Sequence, residues 1–323
     1  MSSLKEFINK KQRELVVVVA IVLLTIVFTA LYPAYFSWNT FTQILQQATI
    51  NGIIAIGMTF AIISGGIDLS VGSVFAIIIV AVGTFTAGGL NPIIAAVIGA
   101  ALGGVIGSIN GFLITKMNLQ PFIATLGTMS VFRGVAYVIT GGWPVLNIPD
   151  SFRDMFNHKI VQGVPNSVIL MLILAVIMGV ILNKTRFGNY LYSVGGNEEA
   201  AKLSGVNVDR TKIMGYVICG VCAAFAGMVM LASLGTGEPA AGQGYELDAI
   251  AAAAIGGTRM AGGKGTILGT VLGAILLSAL KIGMILLNVD TFYQYIATGV
   301  IIVLAAYFEF IQDKVTKMMA KNK

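Results

Sequence analysis

Long apolar runs with few charged side chains recur along the whole 323-residue chain. A helix needs about 20 apolar residues to cross the hydrocarbon of a bilayer. We place spans near 15–32, 45–63, 72–87, 92–115, 122–140, 166–183, 213–233, 247–258, 266–284 and 293–309. The eighth run is too short to span alone, so we expect it to extend into its flanking loops or to be broken. The pattern predicts an all-α, polytopic membrane protein with about ten transmembrane helices, forming a single transmembrane domain over 1–323.

The composition agrees with this class and excludes several others. Charged residues make up 11% of the chain, against about 25% in a soluble domain, and the mean hydropathy is +0.89. These values exclude a disordered chain, a soluble enzyme and a nucleic-acid-binding protein. One histidine and two cysteines are too few for a disulfide framework or a His-rich metal site. No catalytic cluster is evident, so we expect neither enzymatic activity nor a cofactor.

The distribution of lysine and arginine predicts the orientation in the membrane. With the N-terminus in the cytoplasm, most of the 20 basic residues fall on cytoplasmic loops and tails, as the positive-inside rule requires. Both termini are therefore predicted to be cytoplasmic. We expect the first run to stay as a signal anchor, because Tyr32-Pro33-Ala34-Tyr35 follows it instead of a small-residue cleavage site. All seven prolines fall in loops or at span starts, where a missing N–H costs little.

A polar segment interrupts the membrane pattern between the second and third spans. The paired Gly65 and Gly66 stop a helix, and Asp68 and Ser70 follow them. One interpretation is that the two polar side chains cap the next helix. The other is a broken helix at membrane depth, tolerated only where it is buried in protein or lines a cavity. A carboxylate buried there would need a partner, and Arg133 is one possibility.

The cytoplasmic loop at about 184–212 contains a short helical pattern. Asn197 is a suitable N-cap, and Glu198 and Glu199 in the first turn are favoured by the helix dipole. The pattern continues through Ala200 and Ala201 and ends at Gly205. Such a helix either packs into a groove on a partner protein or is merely a solvated turn.

A third polar segment introduces the short eighth run. Glu246 and Asp248 lie at its entry, and small residues that permit close helix approach follow them. The two acids either complement the dipole at a helix N-terminus or shape the outer mouth of a pathway for a polar solute.

Two further motifs carry no chemistry. Around Lys264 the glycines suggest a phosphate loop, but Thr258 replaces the required glycine and Gly265 replaces the required Ser or Thr. Cys219 and Cys222 form a C-x-x-C inside an apolar span, where we expect them to serve packing.

Several stretches of this chain resemble the membrane permease of bacterial ABC sugar importers, the ribose permease family in particular. The similarity covers nearly the whole chain. The matching stretches are Ile44-Leu45-Gln46-Gln47, Gly65-Gly66-Ile67-Asp68-Leu69-Ser70-Val71-Gly72, Pro121-Phe122-Ile123-Ala124-Thr125-Leu126-Gly127-Thr128-Met129, Gly195-Gly196-Asn197-Glu198-Glu199-Ala200-Ala201-Lys202-Leu203-Ser204-Gly205-Val206-Asn207-Val208, Tyr245-Glu246-Leu247-Asp248-Ala249-Ile250-Ala251-Ala252 and Gly262-Gly263-Lys264-Gly265.

The resemblance implies a multi-pass permease of the bacterial cytoplasmic membrane with no ATP site of its own. It implies as partners an ATP-binding subunit with two nucleotide-binding domains, an extracytoplasmic sugar-binding protein, a second copy of the permease, and membrane lipid, but no nucleic acid. The Glu-Ala-Ala…Gly loop implies a coupling helix that enters the ATPase. The candidate pathway or gate residues are Gly65, Gly66, Asp68, Ser70, Phe122, Thr125, Glu246 and Asp248.

The resemblance leaves the solute open. Ribose or a related sugar is expected, with xylose, galactose, autoinducer-2 or a nucleoside as alternatives, and a secondary sugar transporter as a more distant one. The chain departs from the ribose pattern in the ninth span, where Lys281-Ile282-Gly283-Met284-Ile285 replaces a run of asparagines and glycine. Lys281 lies near the outer end of this span, from where a lysine side chain can reach the membrane interface.

Overall fold

The computed structural model describes residues 12–161, 163–304 and 307, and most of them are helical. In chain order the helices are α1 (Gln12–Leu31), α2 (Trp38–Ile63), α3 (Val71–Ala87), α4 (Pro92–Thr115), α5 (Pro121–Thr140), α6 (Asp150–Asn157), α7 (Asn166–Lys184), α8 (Arg186–Gly196), α9 (Glu198–Leu203), α10 (Val208–Leu234), α11 (Tyr245–Ile255), α12 (Ile267–Leu286) and α13 (Thr291–Leu304). A 3-10 turn, Pro33–Tyr35, follows α1, and a small antiparallel pair, β1 (Lys159–Val161) and β2 (Val164–Pro165), precedes α7.

The all-α, polytopic prediction is confirmed. Among the residues that the structure describes, seven helices are long and apolar enough to cross a membrane: α1, α2, α4, α5, α7, α10 and α12. The other three predicted spans coincide with the shorter helices α3, α11 and α13. As expected, the eighth run cannot span alone, because α11 has only 11 residues. The end of the tenth predicted span and both terminal lysine clusters lie outside the described residues.

The prolines lie where the sequence predicts them. Pro92 and Pro121 occupy the first positions of α4 and α5, where their missing N–H would have no helical partner. Pro149 and Pro165 come directly before α6 and α7. Asn91 caps α4, its side-chain oxygen accepting from the N–H of Ile93 at 2.9 Å.

The core is built around α2, α3 and α10. Of the most apolar 18-residue stretch of α2, 83% is buried inside the protein. The corresponding stretch of α1 is only 11% buried, because its apolar side chains point outward. In a membrane protein such side chains contact lipid tails, which are as apolar as leucine. The exposed apolar surface of α1 therefore does not have to be covered by another protein. Each of the helices α2, α3 and α10 contributes a large, fully buried side chain to the core, Phe60, Phe75 and Tyr216 respectively.

Glycines allow α4 and α10 to cross in backbone contact. A Cβ on Gly107 would overlap the carbonyl oxygen of Tyr216, and one on Gly220 would overlap that of Gly103. This close approach is the packing that small residues provide in membranes, where the hydrophobic effect does not drive helices together.

Candidate functional site

The segment between α2 and α3 is non-helical and buried. Gly65 has a φ of +86°, a left-handed conformation that favours glycine. Asp68 is fully buried, and its Oδ1 accepts from the backbone N–H of Ser70 at 2.9 Å and from the Ser70 hydroxyl at 2.6 Å. Asp68 thus holds Ser70, the N-cap residue of α3, but the Ser70 side chain makes no capping bond to that helix, so the predicted side-chain cap is not formed. The geometry corresponds to a broken helix buried in protein.

Two side chains that the sequence analysis did not select complete this cluster. The Asn110 amide of α4 donates to Ser70 Oγ at 2.7 Å and to Asp68 Oδ1 at 3.2 Å. In turn, Thr128 of α5 donates from Oγ1 to Asn110 Oδ1 at 2.7 Å. Asn110 is a lone carboxamide in an otherwise apolar stretch of α4, and that isolation is the feature by which the sequence could have identified it.

Thr125 joins the same cluster through the backbone. Its hydroxyl donates to the carbonyl of Ile67 at 3.1 Å, so α5 also holds the broken segment. Gly66 lies against the Tyr216 ring, where a Cβ would overlap the phenolic oxygen. Phe122, in contrast, is 49% exposed and lies outside this cluster.

The suggested ion pair between Asp68 and Arg133 is wrong. The Arg133 guanidinium donates to the carbonyls of Pro239 at 2.9 Å, Ala241 at 2.6 Å and Gly72 at 3.1 Å. Arg133 therefore connects the loop before α11 to the first turn of α3. Asp68 is instead satisfied by neutral donors on its own segment and on α4.

Lys281 pairs with an acidic side chain of another helix, a partner that the sequence analysis did not identify. Its Nζ lies 2.5 Å from Asp248 Oδ2, and the two side chains are only 17% and 8% exposed. The ion pair connects α12 to the first turn of α11. Glu246 is not bonded to this pair; its Oε1 accepts from the backbone N–H of Gly244 at 3.2 Å.

A cavity of about 370 Å³ lies among α2, α6, α7, α10, α11 and α12. The positive-inside pattern predicts that this half of the bundle faces outward. It is lined by Gln43, Gln46, Gln47, Ile50, Asn157, Ser167, Val229, Met230, Ser233, Tyr245 and Ile282. The predicted pathway residues are not among them, although Tyr245 is next to Glu246. The sequence does hold an indication of this cavity, because the three glutamines lie at i, i+3 and i+4 on one face of α2.

The predicted cytoplasmic helix forms as α9. The Asn197 side-chain oxygen accepts from the Ala200 N–H at 2.9 Å, which confirms the N-cap. Glu198 Oε2 lies 2.6 Å from Lys212 Nζ on α10, and Gly205 ends the turn with a φ of +83°. Leu203 was not selected from the sequence, yet it is 90% exposed at the end of this helix.

A small apolar cluster fixes the orientation of α9. Ala201 is buried with Val194 of α8 and Val208 of α10, and Val206 packs against them. Glu199 and Ala200 stay exposed on the other side. The helix is thus held at its inner face and free at its outer face.

The chain just before α9 touches the end of α2 through backbone atoms. A Cβ on Gly195 would overlap the carbonyl oxygen of Ile63, which also accepts from the N–H of Gly263 at 2.9 Å. Gly262 and Gly263 both have positive φ and pack against Gly195 and Gly196. The short helix is therefore adjacent to the start of the broken segment.

The two cysteines are free and buried in α10, as expected of packing residues. Within residues 12–161 and 163–304 and at 307, no group of three or more His, Cys, Asp or Glu side chains could hold a metal ion.

Comparison with known proteins identifies the family. Residues 40–306 match the family described as the branched-chain amino acid transport system permease component. The ribose import permease protein of Bacillus subtilis is 41% identical over 288 residues, 89% of each chain, and that of Escherichia coli K12 is 42% identical over 290 residues, 89% of this chain and 90% of its own. The D-allose transport system permease protein of Escherichia coli K12 is 40% identical over 281 residues, 86% of each chain.

No solved structure matches the chain. The matched family covers most of the sequence, and the relatives align over most of their own length. Together with the seven long apolar helices, these matches place the protein in the membrane as a multi-pass transport component. The chain therefore belongs to the permease family described as the branched-chain amino acid transport system permease component, among members named for sugar import.

Proposed function

We propose that this chain is the membrane subunit of an importer that carries ribose, or a closely related monosaccharide, into the cytoplasm. ATP would be hydrolysed on a separate subunit with two nucleotide-binding domains, and an extracytoplasmic sugar-binding protein would deliver the solute. The relatives named for ribose and D-allose support the sugar class. The observation that carries the proposal is α9, a capped helix whose exposed face ends at Leu203.

The proposed arrangement has ten spans, with both termini in the cytoplasm and two permease copies side by side in the lipid bilayer. The positive-inside pattern supports this topology. A sugar crossing hydrocarbon would lose the hydration of each hydroxyl, at several kcal/mol per unsatisfied group. A protein pathway that opens to one side at a time removes this penalty and keeps the gradient.

We propose that α9 transmits the motion of the ATPase. Its outer face, with Glu199 and Ala200, would enter a groove on that subunit, while the buried side of Ala201 and the Glu198–Lys212 ion pair hold it to α10. A displacement of α9 would also displace Ile63 at the end of α2, because the backbones of Gly195 and Ile63 are in contact.

The broken segment is the proposed gate. Gly65 and Gly66 supply the bend, and Asp68, Ser70 and Thr125 bind the segment to α3, α4 and α5. The rest of the proposed pathway lies near Phe122 on α5 and at Glu246 and Asp248 on α11. An import driven by an ion gradient is disfavoured, because the Asp68 carboxylate is bonded to neutral donors and Asp248 is neutralised by Lys281.

Co-purification from mild detergent tests the proposal. The tagged permease, produced together with the ATP-binding subunit of a ribose importer, should bring that subunit with it. Leu203→Glu should abolish the association, because it places a charge in the proposed contact, whereas Ser193→Ala on the exposed side of α8 should retain it. A permease that purifies without the ATPase and moves ribose in vesicles lacking ATP would overturn the proposal.

A further inference from the structure

Three carboxamides of α2 line one wall of the cavity defined above. Gln43, Gln46 and Gln47 face it together, and none of them has a hydrogen-bond partner among the described residues. Each carboxamide offers two N–H donors and a carbonyl acceptor. Gln43 and Gln46 are exposed and Gln47 is half-buried, so these amide groups are accessible to a solute that enters the cavity.

The opposite walls add hydroxyl groups. Ser167 of α7, Ser233 of α10 and Tyr245 of α11 line the cavity. The Tyr245 ring is fixed by an edge-on contact with Phe75, at 5.4 Å between ring centroids. The cavity thus presents preplaced neutral donors and acceptors on several sides.

The described lining residues include no acidic or basic side chain. Asp248 and Lys281 lie in the same two helices that contribute Tyr245 and Ile282, but they neutralise each other. An anionic or cationic solute would therefore find no opposite charge on the cavity wall. The chemistry of the wall fits an uncharged solute with several hydroxyl groups.

Two buried polar side chains lie one helical turn deeper than the cavity. Asn51 follows Gln47 by one turn of α2, and Ser278 precedes Ile282 by one turn of α12. Both are fully buried, and neither the Asn51 carboxamide nor the Ser278 hydroxyl has a hydrogen-bond partner among the described residues. Buried polar groups are nearly always paired, so each unpaired group requires an explanation.

We infer that this cavity, with Asn51 and Ser278 one helical turn beyond it, is a binding site for one uncharged polyhydroxylated solute of monosaccharide size within a single permease subunit. Its volume of about 370 Å³ is in the range of small-molecule sites, about 300–1,000 Å³. This inference rests on the proposed import function and places the recognition of the sugar on α2, away from the Asp68 cluster.

The first test measures ribose transported per ATP hydrolysed by the complete importer, with permease, ATP-binding subunit and sugar-binding protein in proteoliposomes. Gln46→Leu/Gln47→Leu should lower this ratio at least about fivefold, the effect of losing about one net hydrogen bond, while ATP hydrolysis persists. Gln243→Leu, the same change at an exposed position outside the cavity, should leave the ratio unaltered. An unaltered ratio in the double variant would overturn the inference.

A second measurement keeps the site testable if the double variant fails to fold. Gln47→Cys places a thiol on the cavity wall, and both native cysteines are buried. Ribose at high concentration should slow the modification of this thiol severalfold, whereas the charged ribose 5-phosphate should not. Equal labelling rates with and without ribose would mean that the cavity holds only water or lipid, and would overturn the inference. Absence of ATP-driven ribose uptake by the unaltered importer would instead overturn the proposed function.

Discussion

Lys281 and Asp248 form an ion pair inside the membrane domain, with Nζ 2.5 Å from Oδ2. Lys281 is in the third quarter of α12, and Asp248 is in the first turn of the short helix α11. Because α11 cannot cross the membrane alone, its position depends on contacts with its neighbours. The ion pair provides one such contact and leaves no net charge beside the carboxamide-lined cavity.

Removing one partner of this pair should destabilise the protein strongly. Lys281→Met leaves the buried Asp248 carboxylate uncompensated, at a cost of about 3–5 kcal/mol. Lys281→Met/Asp248→Asn removes both charges and should recover most of the loss. Thermal unfolding of the detergent-purified variants measures this difference. A double variant as unstable as Lys281→Met would show that the pairing does not stabilise the fold.

The contact between Gly195 and Ile63 should be essential for coupling. Gly195→Ala places a methyl group on the Ile63 carbonyl oxygen, and backbone atoms on both sides prevent a local adjustment. We expect ATP-driven sugar uptake to fall at least tenfold. The neighbouring Gly196→Ala is a matched control, since a Cβ there meets nothing within 4 Å. Equal uptake by the two variants would contradict transmission through this contact.

The buried amide of Asn110 should stabilise the broken segment. Asn110→Leu removes its bonds to Asp68 and Ser70 and leaves the Thr128 hydroxyl without its acceptor on α4, at a cost of about 1–3 kcal/mol or more. Thermal unfolding in detergent should therefore show a clear loss. Ser108→Ala on the same helix changes only an exposed hydroxyl bonded within α4 and should be neutral. A neutral Asn110→Leu would mean that the network does not hold the segment.

The N-cap of α9 should determine how well this helix forms. Asn197→Ala removes the acceptor of the Ala200 N–H, at a cost of about 1 kcal/mol. Hydrogen exchange of the amides in α9 should accelerate several-fold, and binding to the ATPase should weaken. The exposed Ser193→Ala on α8 should change neither quantity. Unchanged exchange in Asn197→Ala would show that the apolar cluster alone orders α9.

Features encoded locally were predictable from the sequence. The apolar runs gave the positions of the helices, and Asn197 with the following acids gave α9, because both depend on neighbours within a few residues. The partners of Lys281 and Arg133 were not predictable, since each bond joins elements far apart in the sequence. The cavity was predictable only in part. The spacing of Gln43, Gln46 and Gln47 defines one face of α2, but only the packing of six helices shows that this face borders a cavity.

The most direct test of the account is ribose uptake by proteoliposomes containing the permease, its ATP-binding subunit and the sugar-binding protein. The account predicts uptake that requires ATP and the binding protein, and that is lost in Leu203→Glu while Ser193→Ala transports normally. Ribose uptake that proceeds equally without ATP, or that survives Leu203→Glu, would contradict the role of α9 as the link between ATP hydrolysis and transport.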